Sequence, residues 1–399
     1  MAETWRVTPL KRLLLRAIDV IGRPLAGLLL QRPRERGEGI WKILVLEPWH
    51  IGDVVIATTA LQALRARYPD AWITLLAKPH AEEILHGSGL VDEIITFDFP
   101  WTAETGKYRL DRYDRAAFSA LFRRLRDERF DLTVDCRMDL RSNVVSFATR
   151  AGRRVGYDFG GGSFLLSDAI PASPRAHHKV EDWLKLMEAL GSRRGAHAIT
   201  RSKDGRQIAP RLTLLPEERD EAALRLETMG IARQDLIVGI HAGASSPEKR
   251  WPPERFAAVA DYLAEIYGAR IVVLVDPGGH GAHLPLRTKA CYLTPSLRQL
   301  MAFIGSCDVL ICNDSAPMHI ADALGVPVVA VFTSGNPKWY GPSGEYQRVV
   351  GQGAPRGKAV DVPVVEVLEA AEEQIERAIA ARARVGGSSV FPVETASQH

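Results

Sequence analysis

Several features that would assign a class at once are missing from this 399-residue chain. No run of apolar residues approaches the roughly 20 that a bilayer-spanning helix needs. The N-terminus makes a poor signal peptide: its apolar stretch is broken by Arg16, Asp19 and Arg23, and no small-residue cleavage site follows. There are four cysteines, Cys136, Cys291, Cys307 and Cys312, and no C-x-x-C pair. Three lie in or beside apolar, strand-like runs and read as reduced core residues, which fits a cytoplasmic protein. No G-x-G-x-x-G follows the first strand pattern, so a nicotinamide-binding domain is disfavoured. Gly353-Ala-Pro-Arg-Gly357-Lys358-Ala359 is too short for a P-loop and has alanine where the hydroxyl residue belongs. No D-x-D occurs, which removes one common pair of metal-binding aspartates, and His177-His178 has no partner at ligand spacing. No metal site is expected. A net charge of +3 does not call for nucleic acid.

What is present is a globular composition, 46% hydrophobic and 25% charged, on a chain long enough for two domains. The basic excess is local. Residues 1–40 hold eight Lys/Arg against four acids. Within 10–30, Arg12, Arg16, Asp19 and Arg23 recur at helical spacing, while Leu13, Leu14, Ala17, Ile18, Ile21 and Leu25 take the opposite face. Pro24 ends or kinks this helix. Such a helix can lie on an anionic membrane surface or pack on the protein itself, and the Leu-rich face with basic flanks favours the membrane.

From Lys42 the pattern alternates. Lys42–Glu47 reads as a strand, Pro48–Asp53 as a turn, and a helix runs on to about Tyr68. Strands are expected at Ala71–Leu76, Glu93–Phe97 and Leu132–Cys136, with a helix near Arg115–Arg129. The polar stretch Gly191–Pro210 reads as a connection, after which the pattern restarts. Strands are expected at Leu236–Ile240, Arg270–Val275, Val309–Cys312 and Val326–Phe332. Helices are expected at Glu254–Tyr267, Leu297–Ile304, Met318–Leu324 and Val364–Ala381. Alternation of this kind implies an α/β fold of two doubly wound parallel sheets, with ligands at the strand carboxyl ends and an active site in a cleft between the domains. The boundaries are a basic segment 1–38, domains 39–210 and 211–362, a C-terminal helix 363–385, and a tail 386–399 expected to be disordered.

Four loops at strand ends hold residues suited to chemistry. In His50-Ile51-Gly52-Asp53 the carboxylate is placed either to take a proton from a hydroxyl or simply to cap the next helix. On spacing alone the cap is favoured, because a helix N-terminus also weakens a carboxylate as a base. In His241-Ala-Gly-Ala-Ser245-Ser246-Pro-Glu-Lys249-Arg250-Trp251, hydroxyls and two cations suit a phosphate, and equally a solvated basic loop. In Asn313-Asp314-Ser315-Ala316-Pro317-Met318-His319, a helix N-terminus offers N–H groups to an anion, with Asp314 or Ser315 as a plain cap the alternative. Asp276-Pro-Gly-Gly-His280-Gly281 is either the lining of a ribose or base pocket or a surface turn.

Taken together and in order, these loops resemble glycosyltransferase family 9, the heptosyltransferases of lipopolysaccharide core synthesis. The resemblance rests on Ile43–Pro69 with Gly52-Asp53, Ile240–Phe256 with Lys249-Arg250-Trp251, and Leu297–Phe332 with Asn313–His319. A weaker fourth is Phe130–Asp135 with Arg153–Tyr157. It implies a GT-B fold, a cytoplasmic enzyme and an inverting, metal-independent transfer without cofactor. The first domain would bind a glycolipid acceptor through His50 and Gly52, with Asp53 as general base. The second would hold a nucleotide-sugar donor. Ser245, Ser246 and Lys249 would take its diphosphate, and Asp314, Ser315 and the N–H groups of Ala316, Pro317, Met318 and His319 its sugar and phosphate. Asp276 would take the ribose. Ala316 stands where the family has glycine, and the Asp276 loop lacks a further acidic residue. These departures leave room for another nucleotide sugar and another surface glycan. A non-catalytic binding protein or a GT-B-like epimerase is the reading from another class; the presence of both Asp53 and Lys249 speaks against the former.

Overall fold

The computed structural model describes residues 13–15, 17–22, 24, 39–103, 109, 111, 113–158, 161–172, 178–192, 208–344, 346–355 and 357–385. Most of the expected connection 191–210, the tail 386–399 and much of the basic segment 1–38 lie outside them. The chain divides into two units, Met1–Ile208 and Ala209–His399.

In the first unit the order is β1 (Lys42–Glu47), α1 (Ile51–Arg67), β2 (Trp72–Ala77), α2 (His80–Leu85), β3 (Glu93–Thr96), α3 (Arg115–Asp127), β4 (Leu132–Asp135), α4 (Leu140–Ala148), β5 (Arg153–Asp158), β6 (Asp168–Pro171) and α5 (Lys179–Ser192). The strands form one parallel sheet, ordered β3-β2-β1-β4-β5-β6. β1 reads Lys-Ile-Leu-Val-Leu-Glu and is buried from Ile43 through Glu47. Such a near-continuous apolar run marks a strand covered on both faces, and each fully buried Leu, Ile or Val contributes about 1.5–3 kcal/mol. Asp114 starts α3 by accepting from the N–H groups of Ala116 and Ala117, at 2.8 and 3.0 Å. Helical residues between 13 and 24 lean on the loop after β5. Asp19 accepts from Ser163 N at 2.8 Å, and a side chain at Gly22 would collide with the Phe164 ring. Asp19 thus faces the protein, while Leu13, Leu14, Ile18, Val20 and Ile21 are exposed.

The second unit repeats the scheme. It holds α6 (Pro216–Thr228), β7 (Ile237–His241), α7 (Pro253–Tyr267), β8 (Arg270–Leu274), β9 (Ala290–Leu293), α8 (Leu297–Gly305), β10 (Val309–Asn313), α9 (Ala316–Leu324), β11 (Val328–Val331), α10 (Pro337–Tyr340), β12 (Gln347–Val350) and α11 (Val364–Val385). Its parallel sheet runs β12-β11-β10-β7-β8-β9. Counted from its own first strand, that is the same order as in the first unit. α11 contributes Val367, Ala371 and Ile375 to the core of this unit. Its tie runs through Arg382, which pairs with the buried Asp308 at 2.6 Å. In each sheet the strand order reverses between two central, parallel neighbours, β1 and β4 or β7 and β10. The carboxyl ends of such a pair are where open α/β sheets bind ligands.

Candidate active site

At the first reversal β1 ends in Glu47 and β4 in Asp135. The register pairs Leu46 with Asp135, so the two chain ends emerge side by side. Asp53 lies in the first turn of α1. One oxygen accepts from His50 N at 3.3 Å, and the other is 2.7 Å from Arg137 Nη2. Asp53 thus closes the capping box of α1 by bonding back to the N-cap residue His50, and carries an ion pair as well. Arg137 also donates to Glu47 Oε1 through Nη2 at 2.5 Å and Nε at 3.1 Å, and Trp49 covers its guanidinium with the ring centre 5.0 Å away. Burial pushes the Asp53 carboxyl up, but the adjacent Arg137 and the hydrogen bond from His50 outweigh it and hold the group below its ordinary range. Glu47, only 1% exposed, goes the other way: burial pushes it up to about 7, despite Arg137. Burial also raises Asp135, whose Oδ2 has no hydrogen-bond partner among the described residues. His50 is exposed and Gly52 half-buried in the same turn.

At the second reversal β7 leads into the 241–251 loop, and one buried side chain holds that loop in shape. Asn313, at the end of β10, donates to Ala242 O at 2.8 Å and accepts from Trp251 N at 3.0 Å. Trp251 is itself buried, with Nε1 donating to Val362 O at 2.9 Å and its ring edge-on to Phe256. Arg250 Nε donates to Ala244 O at 2.9 Å, so this cation shapes the loop. Ser245 is exposed and Ser246 half-buried. Lys249 Nζ lies 2.7 Å from Asp314 Oδ2. His241 is buried and held down to about 4 by that burial, so it is neutral at pH 7; its Nδ1 has no hydrogen-bond partner among the described residues. Asp276 is nearby, bonded to the N–H and the ring of His280 at 3.0–3.2 Å. A Cβ at Gly243 would sit 2.5 Å from Asp276 Oδ2 and 3.0 Å from His241 Cε1, so a larger residue there would have to displace the Asp276 side chain.

The α9 terminus departs from expectation in its donors. Pro317 has no N–H to give, and Met318 N donates to Ser315 O at 3.1 Å. Two of the four backbone donors expected here are thus withdrawn from an anion. The Met318 side chain is wholly buried in the core, and Pro317 and His319 are buried as well. Ser315 stands at the N-cap without a cap bond and turns its hydroxyl to Asn313 O at 3.3 Å.

The family model "Glycosyltransferase family 9 (heptosyltransferase)" matches residues 118–366, more than half of the chain. The chain belongs to glycosyltransferase family 9. It is 25% identical over 324 residues to lipopolysaccharide heptosyltransferase 2 of Salmonella typhimurium, covering 77% of this chain and 87% of that one. It is 26% identical to the Escherichia coli protein of the same name, at the same coverage. Among solved structures, a family 9 glycosyltransferase from Veillonella parvula superposes with TM-score 0.69 at 24% identity, covering 84% of this chain and 97% of that chain. The E. coli ADP-heptose lps heptosyltransferase II gives 0.65 at 23%, with 84% and 99% covered. This family 9 chain therefore has the GT-B fold and is a glycosyltransferase. The expected α/β class and enzyme type both hold.

Glu47, Arg137 and Asn313's role as a strap were not foreseen. Arg137 follows the strand of the weaker fourth motif, and a cation after a central strand of a doubly wound sheet was the available signal.

Proposed function

We propose that this enzyme is an inverting, metal-independent transferase that moves a sugar, heptose from ADP-heptose, onto a lipopolysaccharide core or related glycolipid. The observation that supports it most directly is the pairing of roles at the two strand reversals. One presents a charged carboxylate, Asp53; the other presents Lys249 beside a helix N-terminus, with Asp276 packed close against Gly243 of the same loop. In this reading the first unit binds the acceptor, with His50 and Gly52 beside the reacting hydroxyl. That oxygen bonds to the anomeric carbon and its proton passes to Asp53. The bond from the anomeric carbon to the diphosphate oxygen breaks, and the electron pair leaves with the nucleoside diphosphate. Lys249, Ser245, Ser246 and the N–H groups of Ala316 and His319 stabilise the leaving charge, and such donors are commonly worth about 100- to 1,000-fold in kcat. Lys249 is shared between Asp314 and the diphosphate. Asp276 takes the ribose, which would displace its bonds to His280.

The acceptor reading extends to the membrane. The N-terminal helix is held through Asp19 to the loop after β5, in the unit that carries Asp53, and leaves Leu13, Leu14, Val20 and Ile21 exposed. We place the enzyme on the inner face of the cytoplasmic membrane, held by this helix.

The test is turnover of ADP-heptose with a heptose-deficient lipopolysaccharide acceptor, beside UDP- and GDP-sugars. Transfer from ADP-heptose that depends on the glycolipid, and that falls about 100-fold or more in Asp53→Asn, is expected. Preferential turnover of another donor would move the substrate. Nucleotide-sugar conversion without glycolipid would replace transfer by epimerisation.

A further inference from the structure

As a base, Asp53 faces a difficulty: a carboxylate held by a guanidinium is a weak proton acceptor. That guanidinium, however, does not serve Asp53 alone. Arg137 Nη2 is 2.5 Å from Glu47 Oε1 and 2.7 Å from Asp53 Oδ1. The Glu47 side chain is 1% exposed, and those of Arg137 and Asp53 are each 15% exposed. Trp49 lies over the cation. Two carboxylates therefore compete for one cation in a place largely closed to water, where such competition is strongest.

We propose that Glu47 is a positioning residue of the transfer reaction: acting through Arg137, it fixes where the Asp53 carboxylate stands and how strongly the guanidinium restrains its uptake of a proton. The inference rests on the reading of Asp53 as the base. When Glu47 is ionised it draws on the charge of Arg137, and Asp53 recovers basicity. When Glu47 is protonated, Arg137 turns its whole charge on Asp53. Burial pushes Glu47 up to about 7, so the exchange falls near neutral pH. Other groups face the pair. Asp135 and Lys179 act on Glu47, and His50 acts on Asp53. His80, neutral because burial and Lys78 hold it down to about 4, lies within reach of Asp53; Asp139 acts on Asp135. The contacts of Arg137 single it out as the link, because it touches both carboxylates.

Two readouts test this. The first needs no substrate: the Asp53 carboxyl is titrated by carbon-13 NMR in the full-length protein and in Glu47→Gln, with Asp53→Asn giving the assignment. In Glu47→Gln the Asp53 pKa is expected to fall by about one unit, a tenfold loss of proton affinity. The second is the pH profile of kcat/KM with ADP-heptose and glycolipid. The parent enzyme is expected to show a rise near pH 7 that Glu47→Gln lacks, with turnover about tenfold lower at neutral pH. Arg137→Lys keeps the charge and should keep that rise at reduced kcat, whereas a merely structural role would scale the profile without changing its shape. An Asp53 titration unmoved in Glu47→Gln overturns the proposal even if Asp53→Asn is inactive. An active Asp53→Asn overturns the base reading instead, and the positioning role with it.

Discussion

Glu47 also leaves a signature in stability. Burial raises its carboxyl in the folded protein to about 7, above the ordinary 4.5. Between those values the unfolded chain sheds the proton and the folded protein keeps it, so the contribution is full below about 4.5 and is lost as pH rises towards 7. The shift corresponds to about 3 kcal/mol. Asp53, held below its ordinary value, has the opposite sign: its contribution is present at neutral pH and lost in acid. Comparing melting temperatures at about pH 5 and pH 7.5, the fall expected for the parent should be clearly smaller in Glu47→Gln; equal falls would place the Glu47 carboxyl near its ordinary range. Lys249 calls for a paired test, because removing it leaves the buried Asp314 charge alone. Lys249→Ala is expected to lower both melting temperature and kcat, the latter by about 100-fold. Adding Asp314→Asn should restore the melting temperature and not the rate. Recovery of rate in the double variant would mean that Lys249 only neutralises Asp314. Asp53 and Lys249 could be found in the sequence because each follows a strand within one short motif. The Glu47–Arg137 bond could not, since the partners are 90 residues apart and meet only through the β1–β4 register.

At the scale of elements, the strands read most easily were those buried on both faces. β1, β7 and β10 are apolar runs with helices over each side, and the sequence marks them plainly. The outer strands β6, β9 and β12 were missed. Each is four residues long and only partly buried, so neither length nor periodicity distinguishes it from a loop. α4 and α6 were missed as well; only four of the nine residues of α4 and two of the thirteen of α6 are buried, too few to write a clear stripe. The 241–251 loop was recognised, but not what shapes it. Asn313 is 0% exposed and supplies both bonds that tie β10 to that loop. Asn313→Ala would orphan Trp251 N and Ala242 O, each costing about 1–3 kcal/mol when buried. The expected result is a destabilised second unit and a raised KM for the donor, measured by melting and by donor titration. Asn313→Asp keeps the acceptor for Trp251 N and loses the donor to Ala242 O, so it should fall between the two. A donor KM unchanged in Asn313→Ala would show that the loop holds its shape without the strap.

For the molecule as a whole, charge and apolar surface coincide at one segment. Residues 1–40 carry eight Lys/Arg against four acids, while the entire chain has a net charge of only +3, so the remainder is close to neutral. Asp19, one of those acids, is turned inward to Ser163 N, and the side presented outward is apolar: Leu13 is 66% exposed, Val20 69% and Ile21 65%. Among the described residues no helix is long and apolar enough to cross a membrane. A basic, outward-apolar helix instead suits the interface of an anionic bilayer, where apolar burial and roughly 1 kcal/mol per cation act together. Two consequences can be separated. The electrostatic share should weaken with salt, because the screening length is about 10 Å at 0.1 M. The apolar share should survive salt and yield to charge reversal on the exposed face. Co-sedimentation with phosphatidylserine-containing vesicles is therefore expected at low salt, reduced at high salt and lost in the double variant Val20→Glu/Ile21→Glu. Both sites are exposed, so the double change should leave the fold intact. If the variant still sediments with vesicles, the helix is not the anchor. If neither protein sediments while glycolipid turnover proceeds, the acceptor is reached without any membrane attachment of this chain.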